Sequence, residues 1–177
     1  KIHCVYAGTL DPRKGGAIAS AESALFLNEN YHIHILGFGH EKEKAEMLNT
    51  IDSISKKSKA KITYDGLLSG EEYIKFIQSC DIGLSTQNPN GKYNDTSFPS
   101  KILSYMANGL RVVSVRRPVV EESGIGKCVY YYDEQTPENI AKAIKSIDFS
   151  EEYDSRKAIG MLDKDFICDL KKMLSFM

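Results

Sequence analysis

Short apolar runs alternate with amphipathic stretches along most of the chain. Ile2 to Ala7, Tyr31 to Phe38, Lys61 to Tyr64, Asp81 to Leu84, Arg111 to Val115 and Lys127 to Tyr132 read as strands. Between them, Gly16 to Asn28 reads as a helix with Ile18, Ala21 and Leu25 on one face, and Glu41 to Ile51 as a charged, weakly amphipathic one. Gly70 to Ser79 places Tyr73, Ile74 and Ile77 inward, and Ile102, Leu103, Met106 and Ala107 mark a further helix. Thr136 caps a helix with Pro137 at its first position, Glu138 in its first turn, and Ile140, Ala143, Ile144 and Ile147 on one stripe. Ile54 to Ala60, with lysines 56, 57, 59 and 61 in or beside it, reads as a solvated loop.

Short strands that alternate with helices of ten or so residues imply right-handed βαβ units. The expected fold is therefore α/β: a Rossmann-like three-layer sandwich with a parallel sheet of about six strands, filling residues 1–150. After an acidic stretch from Asp148 to Asp154, Ile159, Leu162, Phe166, Leu170 and Met173 recur at helical spacing. This last helix, within residues 151–177, must pack on something. It either covers the sheet's own edge or crosses to a domain outside this chain.

Ligands of such sheets bind beyond the carboxyl ends of the strands. That directs attention to the loops Gly8 to Gly16, Gly37 to His40, Asp65 to Gly70 and Ser85 to Ser97. The last is a long polar loop of turn-forming residues that leads into the helix at Ile102. Ser97 is a candidate N-cap, Pro99 suits the first turn, and Lys101 lies one turn in. The unpaired N–H groups of such a helix start suit a phosphate or carboxylate. An ordinary capped helix after a surface loop fits the same residues. In the first loop, YAGTLDPRKGG, Lys14 precedes a helix start; it matches neither a Walker A loop nor G-x-G-x-x-G. Its ammonium would either meet a phosphate there or remain solvated.

Composition narrows the function classes. The 177 residues are 42% apolar and 27% charged with a net charge of −1, enough for one full core and too neutral for nucleic acid as the main partner. No apolar run approaches the ~18 residues of a membrane span. No signal peptide is visible, and an opening directly on a strand-like run suggests a piece of a longer protein. Cys4, Cys80, Cys128 and Cys168 are scattered without a C-x-x-C pair, which fits free thiols in a reducing, cytoplasmic compartment. His32 and His34 share a strand face, yet no third and fourth ligand stands at sensible spacing, so no metal site is expected. His3 and His40 are singletons, with His40 in a candidate ligand loop. Tyr130 to Tyr132 read as core or rim, and no nucleophile elbow or Ser-His-Asp set is present.

Together YAGTLDPRKGG, HILGFG (His34 to Gly39), ITYDGLLSGEEYIKFIQSCDIGLS (Ile62 to Ser85) and SFPSKILSYMANGLRVVS (Ser97 to Ser114) carry a resemblance. Over about 140 residues, in the right order, the chain resembles the C-terminal, nucleotide-sugar-binding half of group-1, retaining GT-B glycosyltransferases of bacterial surface polysaccharide synthesis. The resemblance implies a nucleoside-diphosphate sugar, a UDP-sugar foremost, as donor substrate. It implies no cofactor and no metal. A glycan or lipid-linked acceptor would be held by an N-terminal domain outside this chain, and any membrane association, peripheral at the inner face, would belong to the full-length protein. It places Gly8, Thr9, Lys14, Ser97, Phe98, Pro99, Ser100 and Lys101 at the diphosphate, and Gly66, Leu67, Leu68 and Ser104 at the nucleobase and ribose. Asp95 and Thr96 fall at the donor sugar, with Lys14 and Asp95 as the catalytic pair. Three positions depart from the pattern: Thr9 stands where Arg is common, and Thr96 and Ser104 where Glu is common. A hydroxyl at Ser104 gives ribose a weaker hydrogen bond than a carboxylate. The alternative is a non-catalytic sugar-nucleotide-binding or interaction domain of the same origin.

Overall fold

A computed structural model describes residues 1–88 and 98–175. Six parallel strands among these residues form one sheet in the order β3-β2-β1-β4-β5-β6: β1 Ile2–Thr9, β2 Tyr31–Phe38, β3 Lys61–Gly66, β4 Ile82–Ser85, β5 Arg111–Val115 and β6 Val129–Tyr132. The α/β sandwich expected from the alternation is therefore present. Neighbouring residues of one strand go to opposite layers, as the period of two requires. Cys4, Tyr6, Ile33, Ile35 and Leu84 enter one core with α1 (Gly16–Ser23), α2 (Glu41–Ser55) and α6 (Pro137–Lys145). Val5, Leu36 and Val112 enter the other, with α3 (Gly70–Gln78), α4 (Ser100–Ala107) and the short α5 (Pro118–Glu121).

Several elements depart from expectation, each for a packing reason. α1 stops at Ser23 and tightens into a 3-10 turn over Ala24–Phe26. Its inward face is Ala17, Ser20, Ala21 and Ala24, while Leu25 is 40% exposed. Small side chains let α1 lie close on the sheet, where the Ser20 and Thr86 hydroxyls meet at 2.7 Å. α2 runs on to Ser55, so Ile54 is a buried helix residue and Ala60 is also buried. The predicted loop keeps only its lysine-bearing turn. Ile74 faces outward on α3, and Lys127 and Cys128 belong to a 3-10 turn over Gly126–Cys128 before β6. Thr136 caps α6 as expected, its hydroxyl accepting from the Asn139 N–H at 3.2 Å.

The final helix, α7 (Ser155–Ser175), packs against α4 through Ile159 and Leu162. Beyond that contact Phe166, Leu170 and Met173 are exposed. No described helix is long and apolar enough to cross a membrane.

The strand order positions the site. From β1 the chain builds outward through β2 and β3, then returns to the other side of β1 to lay down β4. The helices that follow β1 and β4, α1 and α4, pack on opposite faces of the sheet, and such a reversal leaves a crevice at the carboxyl ends of the strands.

Candidate functional site

The first loop leaves β1 at Gly8 and Thr9. Thr9 Oγ1 accepts from the Asp11 N–H at 3.2 Å, and Asp11 accepts from the Arg13 N–H at 2.9 Å. The Arg13 guanidinium also binds the Asp11 carboxylate, and these hydrogen bonds hold its pKa down at about 2. The turn closes with the Lys14 N–H on the Asp11 carbonyl at 3.0 Å. Gly15 then takes the left-handed conformation, φ 66°, and opens α1 without a side-chain cap. The N–H groups of that first turn thus point toward the crevice side of the sheet uncapped. The loop after β4 docks here: the Asn88 N–H donates to the Lys14 carbonyl at 3.0 Å.

Lys101 enters from α4. Its Nζ lies 4.0 Å from the centroid of the Tyr6 ring, a cation–π contact. The ammonium is buried and has no hydrogen-bond acceptor among the described residues. Burial, with the Lys14 charge adding to it, lowers the Lys101 pKa to about 8. Gly8 makes room for it, since a β-carbon there would fall 2.3 Å from Nζ. α4 is itself tied to the strand end, because the buried Tyr105 hydroxyl accepts from the Ala7 N–H at 2.8 Å. The Lys101 ammonium, with the Lys14 charge near enough to act on it, and an uncapped helix start thus lie by the end of β1, an arrangement that stabilises a polyanion.

Beside this charged corner lies an apolar cleft of ≈ 200 Å³ at the ends of β1, β2 and β3. Its walls include Gly8, Gly37, Phe38, Leu67, Leu68 and Tyr73. Tyr64 fixes one wall by donating its hydroxyl to the Gly37 carbonyl at 2.9 Å. Leu67 and Leu68, expected at a nucleobase, do line a cleft next to the lysines. Gly66, with φ 81°, is the hinge that ends β3 before them. Phe38 and Tyr73 had no assigned role; the alternation placed Tyr73 inward, but only strand order brings it to this cleft.

Other expected residues stand differently. α4 begins at Ser100 with Pro99 as its cap residue and no side-chain cap, so the helix starts later than a Ser97 cap implies. Pro99 has ψ 99°, an extended value, and the helical bonding starts with the Ile102 N–H on its carbonyl at 3.0 Å. Phe98 turns its ring away from the lysines into a groove with Leu103, Leu162 and Phe166. Only its backbone is left for an anion. Ser104 is half-buried one turn beyond Lys101 on α4. Ser85 and Thr86, expected to open the polar loop, are instead buried, with Thr86 hydrogen-bonded to the Gly16 carbonyl at 2.8 Å. Asp95, Thr96 and Ser97 lie outside the described residues. His40 opens α2, where the Glu43 carboxylate accepts from its N–H at 2.8 Å. His32 and His34 share a face as expected, but they do not lack a third imidazole: His3, in register with His32, stands beside them.

Comparison with known proteins agrees with this fold. The family model for group 1 glycosyl transferases matches residues 1–147. No curated protein sequence matches the chain. Among solved structures, AviGT4, a glycosyltransferase involved in avilamycin A biosynthesis, superposes with a TM-score of 0.68 at 14% identity, over 100% of this chain and 52% of that one. The C-terminal domain of the group 1 glycosyl transferase LpcC from Francisella tularensis gives 0.65 at 15% identity, over 90% of this chain and 84% of that domain. Alr3699/HepE from Anabaena, solved in complex with UDP and glucose, gives 0.63 at 15% identity, over 98% and 48%. The chain thus spans about half the length of AviGT4 and HepE, with the fold of one Rossmann-like half. With residues 1–147 matched by its model, the chain belongs to the group 1 glycosyltransferase family.

Proposed function

We propose that this chain is the donor-binding, C-terminal half of a retaining, metal-independent glycosyltransferase that uses a UDP-sugar. The observation that carries the reading is the Lys101 ammonium, buried without a hydrogen-bond acceptor among the described residues, at the reversal of strand order and beside Gly8. A buried cation of that kind is costly unless an anion completes it. A diphosphate laid between Lys14, Lys101 and the start of α1 supplies that charge, and the neighbouring apolar cleft is placed to take the base. During transfer, negative charge grows on the departing diphosphate, and the two ammonium groups with the helix N–H groups stabilise it where it develops. Asp95 and Thr96 would face the donor sugar, and Ser104 the ribose.

The acceptor, a glycan or lipid-linked sugar of bacterial surface polysaccharide, would sit on an N-terminal domain outside this chain. The apolar residues α7 leaves exposed beyond Leu162 support a crossing to such a domain. A cytoplasmic enzyme, peripheral at the inner face of the membrane, follows from a lipid-linked acceptor.

The test is thermal unfolding with UDP, GDP, ADP and CMP in turn. At about 100 times its dissociation constant a ligand adds about 2.7 kcal/mol, which raises the midpoint by roughly 5–10 °C for a domain of this size. We expect UDP to give the largest rise and Lys101→Met to remove most of it. No rise with any nucleotide, in this chain and in the full-length protein, would defeat the reading. Thr9, Thr96 and Ser104, which stand where the family commonly has Arg and two Glu, favour a second reading: a binding domain that has lost catalysis. Turnover of a labelled donor by the full-length protein, abolished by Lys14→Ala, decides against it.

A further inference from the structure

Three imidazoles converge toward the amino ends of β1 and β2, away from Gly8 and the lysines. His3 lies across the register from His32, and His34 follows two residues on along the same face of β2. One ring nitrogen from each lies within 4.8 Å of the other two. His3 Nδ1 and His34 Nε2 are already 2.9 Å apart, and the His32 and His34 ring centres 3.7 Å. His32 and His34 are each only 7% exposed, whereas His3 is half-buried at the mouth.

We propose that His3, His32 and His34 form a binding site for a divalent transition metal of borderline softness, zinc above all, with Asp65 as the group that orients His34. The donor set is right for that class, because neutral imidazole suits zinc and its neighbours in the series. Zinc–nitrogen bonds of about 2.0–2.1 Å put tetrahedral ligands about 3.3 Å apart, so the His3–His34 pair need open by only a few tenths of an ångström. Rotation of the His32 ring brings in the third nitrogen. Asp65 Oδ2 lies 3.0 Å from His34 Nδ1, and Thr63 Oγ1 supports that carboxylate at 2.8 Å. A proton on His34 Nδ1 then leaves Nε2 as a lone pair aimed at the site, the carboxylate–histidine pairing found behind metal ligands. Zinc would replace the hydrogen bond between the two rings, the proton of His3 moving to its own Nε2, so no proton is lost to solvent. Burial lowers the pKa of His32 to about 4 and also depresses that of His3. The fourth position of the ion is open to water past His3. Such an ion would tie β1, β2 and β3 together on the side of the sheet that bears Phe76, whose ring meets His34 edge-on at 5.2 Å.

The test uses the chain stripped with a chelator and then titrated with Zn²⁺, Co²⁺ and, as a hard-ion control, Mg²⁺. Calorimetry should give one zinc per chain, no binding of magnesium, and a rise in unfolding midpoint of about 5–10 °C at 100 times the dissociation constant. Cobalt should show the visible bands of a tetrahedral nitrogen and oxygen site. Asp65→Asn should weaken zinc about 10–100-fold, and His3→Gln, at the half-buried position, should weaken it further while the far-ultraviolet spectrum stays unchanged. Failure of the wild-type chain to bind zinc would overturn the site and leave the trio a hydrogen-bonded cluster. A sulfur-to-cobalt charge-transfer band would also overturn it by placing the ion on a cysteine, and so would undiminished affinity in His3→Gln.

Discussion

Lys101 can lie across the end of β1 only because residue 8 is glycine: a β-carbon at Gly8 would sit 2.3 Å from the lysine Nζ. The atom in the way is the tip of a flexible chain, so Gly8→Ala should displace the ammonium without breaking the strand. Stability should stay within about 1 kcal/mol of the parent, since alanine also restricts the unfolded chain. UDP affinity should fall by about 10–150-fold, the loss of one charge-assisted contact worth roughly 1.5–3 kcal/mol. Chemical denaturation and calorimetry on the same variant check both halves.

The lowered pKa of Lys101, about 8, separates binding from stability as pH rises. The folded group loses its proton before the unfolded one does, so between about 8 and the ordinary lysine value near 10.4 the unfolded chain holds more protons. This group therefore makes folding more favourable as pH rises through that window. Anion binding goes the other way, because it needs the ammonium. UDP affinity should decline above pH 8, at most about tenfold per unit, with proton uptake on binding that calorimetry in two buffers measures. Lys101→Met should abolish both trends.

Tyr105 is the strut that holds α4 to β1. β4 pairs with β1 only at Cys4 and Val5, so the Ala7 N–H turns to the tyrosine hydroxyl instead. Tyr105→Phe strands that donor and should cost about 1–3 kcal/mol. The midpoint of urea unfolding should fall with an unchanged slope.

Glycine is required at position 37 by space. A β-carbon there would fall 1.8 Å from the Gly8 carbonyl oxygen, a backbone atom that cannot step aside cheaply. Gly37→Ala should separate β1 from β2 at the cleft, at a cost above about 3 kcal/mol, within the range of severe overpacking. Thermal unfolding would show it, and a stable variant would contradict the packing described.

α7 divides into a docked and an undocked part. Leu162→Ala should destabilise by about 1–2 kcal/mol as a half-buried contact with the second core is lost. Phe166→Ser, at a residue 65% exposed, should change stability by no more than about 0.5 kcal/mol. If the full-length protein covers this face, the same Phe166→Ser change should destabilise it, and paired melting curves make that comparison.

Local pattern was enough for the strands, for α6 with its Thr136 cap and for the α/β class, because periodicity and capping act between near neighbours in sequence. The lysines and the cleft leucines were legible as well, though their roles came from likeness to a family rather than from spacing. Helix-face assignments held where the apolar stripe was unbroken, as on α6. On α1 they held for Ala21 and Ile18 and failed at Leu25, because alanine and serine face the sheet there and closeness of approach outweighed side-chain size.

What the sequence by itself determined is the set of elements, their alternation and the glycine-rich and polar loops at the strand ends. The strand order and register decided the rest. They bury Lys101 on Tyr6, turn Phe98 toward α7, and bring His3 to His32 across 28 intervening positions, counted from their register pairing. Each of those contacts joins residues from separate elements. Hydrophobic periodicity is blind to them, since it records which face a residue takes and not which neighbour that face will meet.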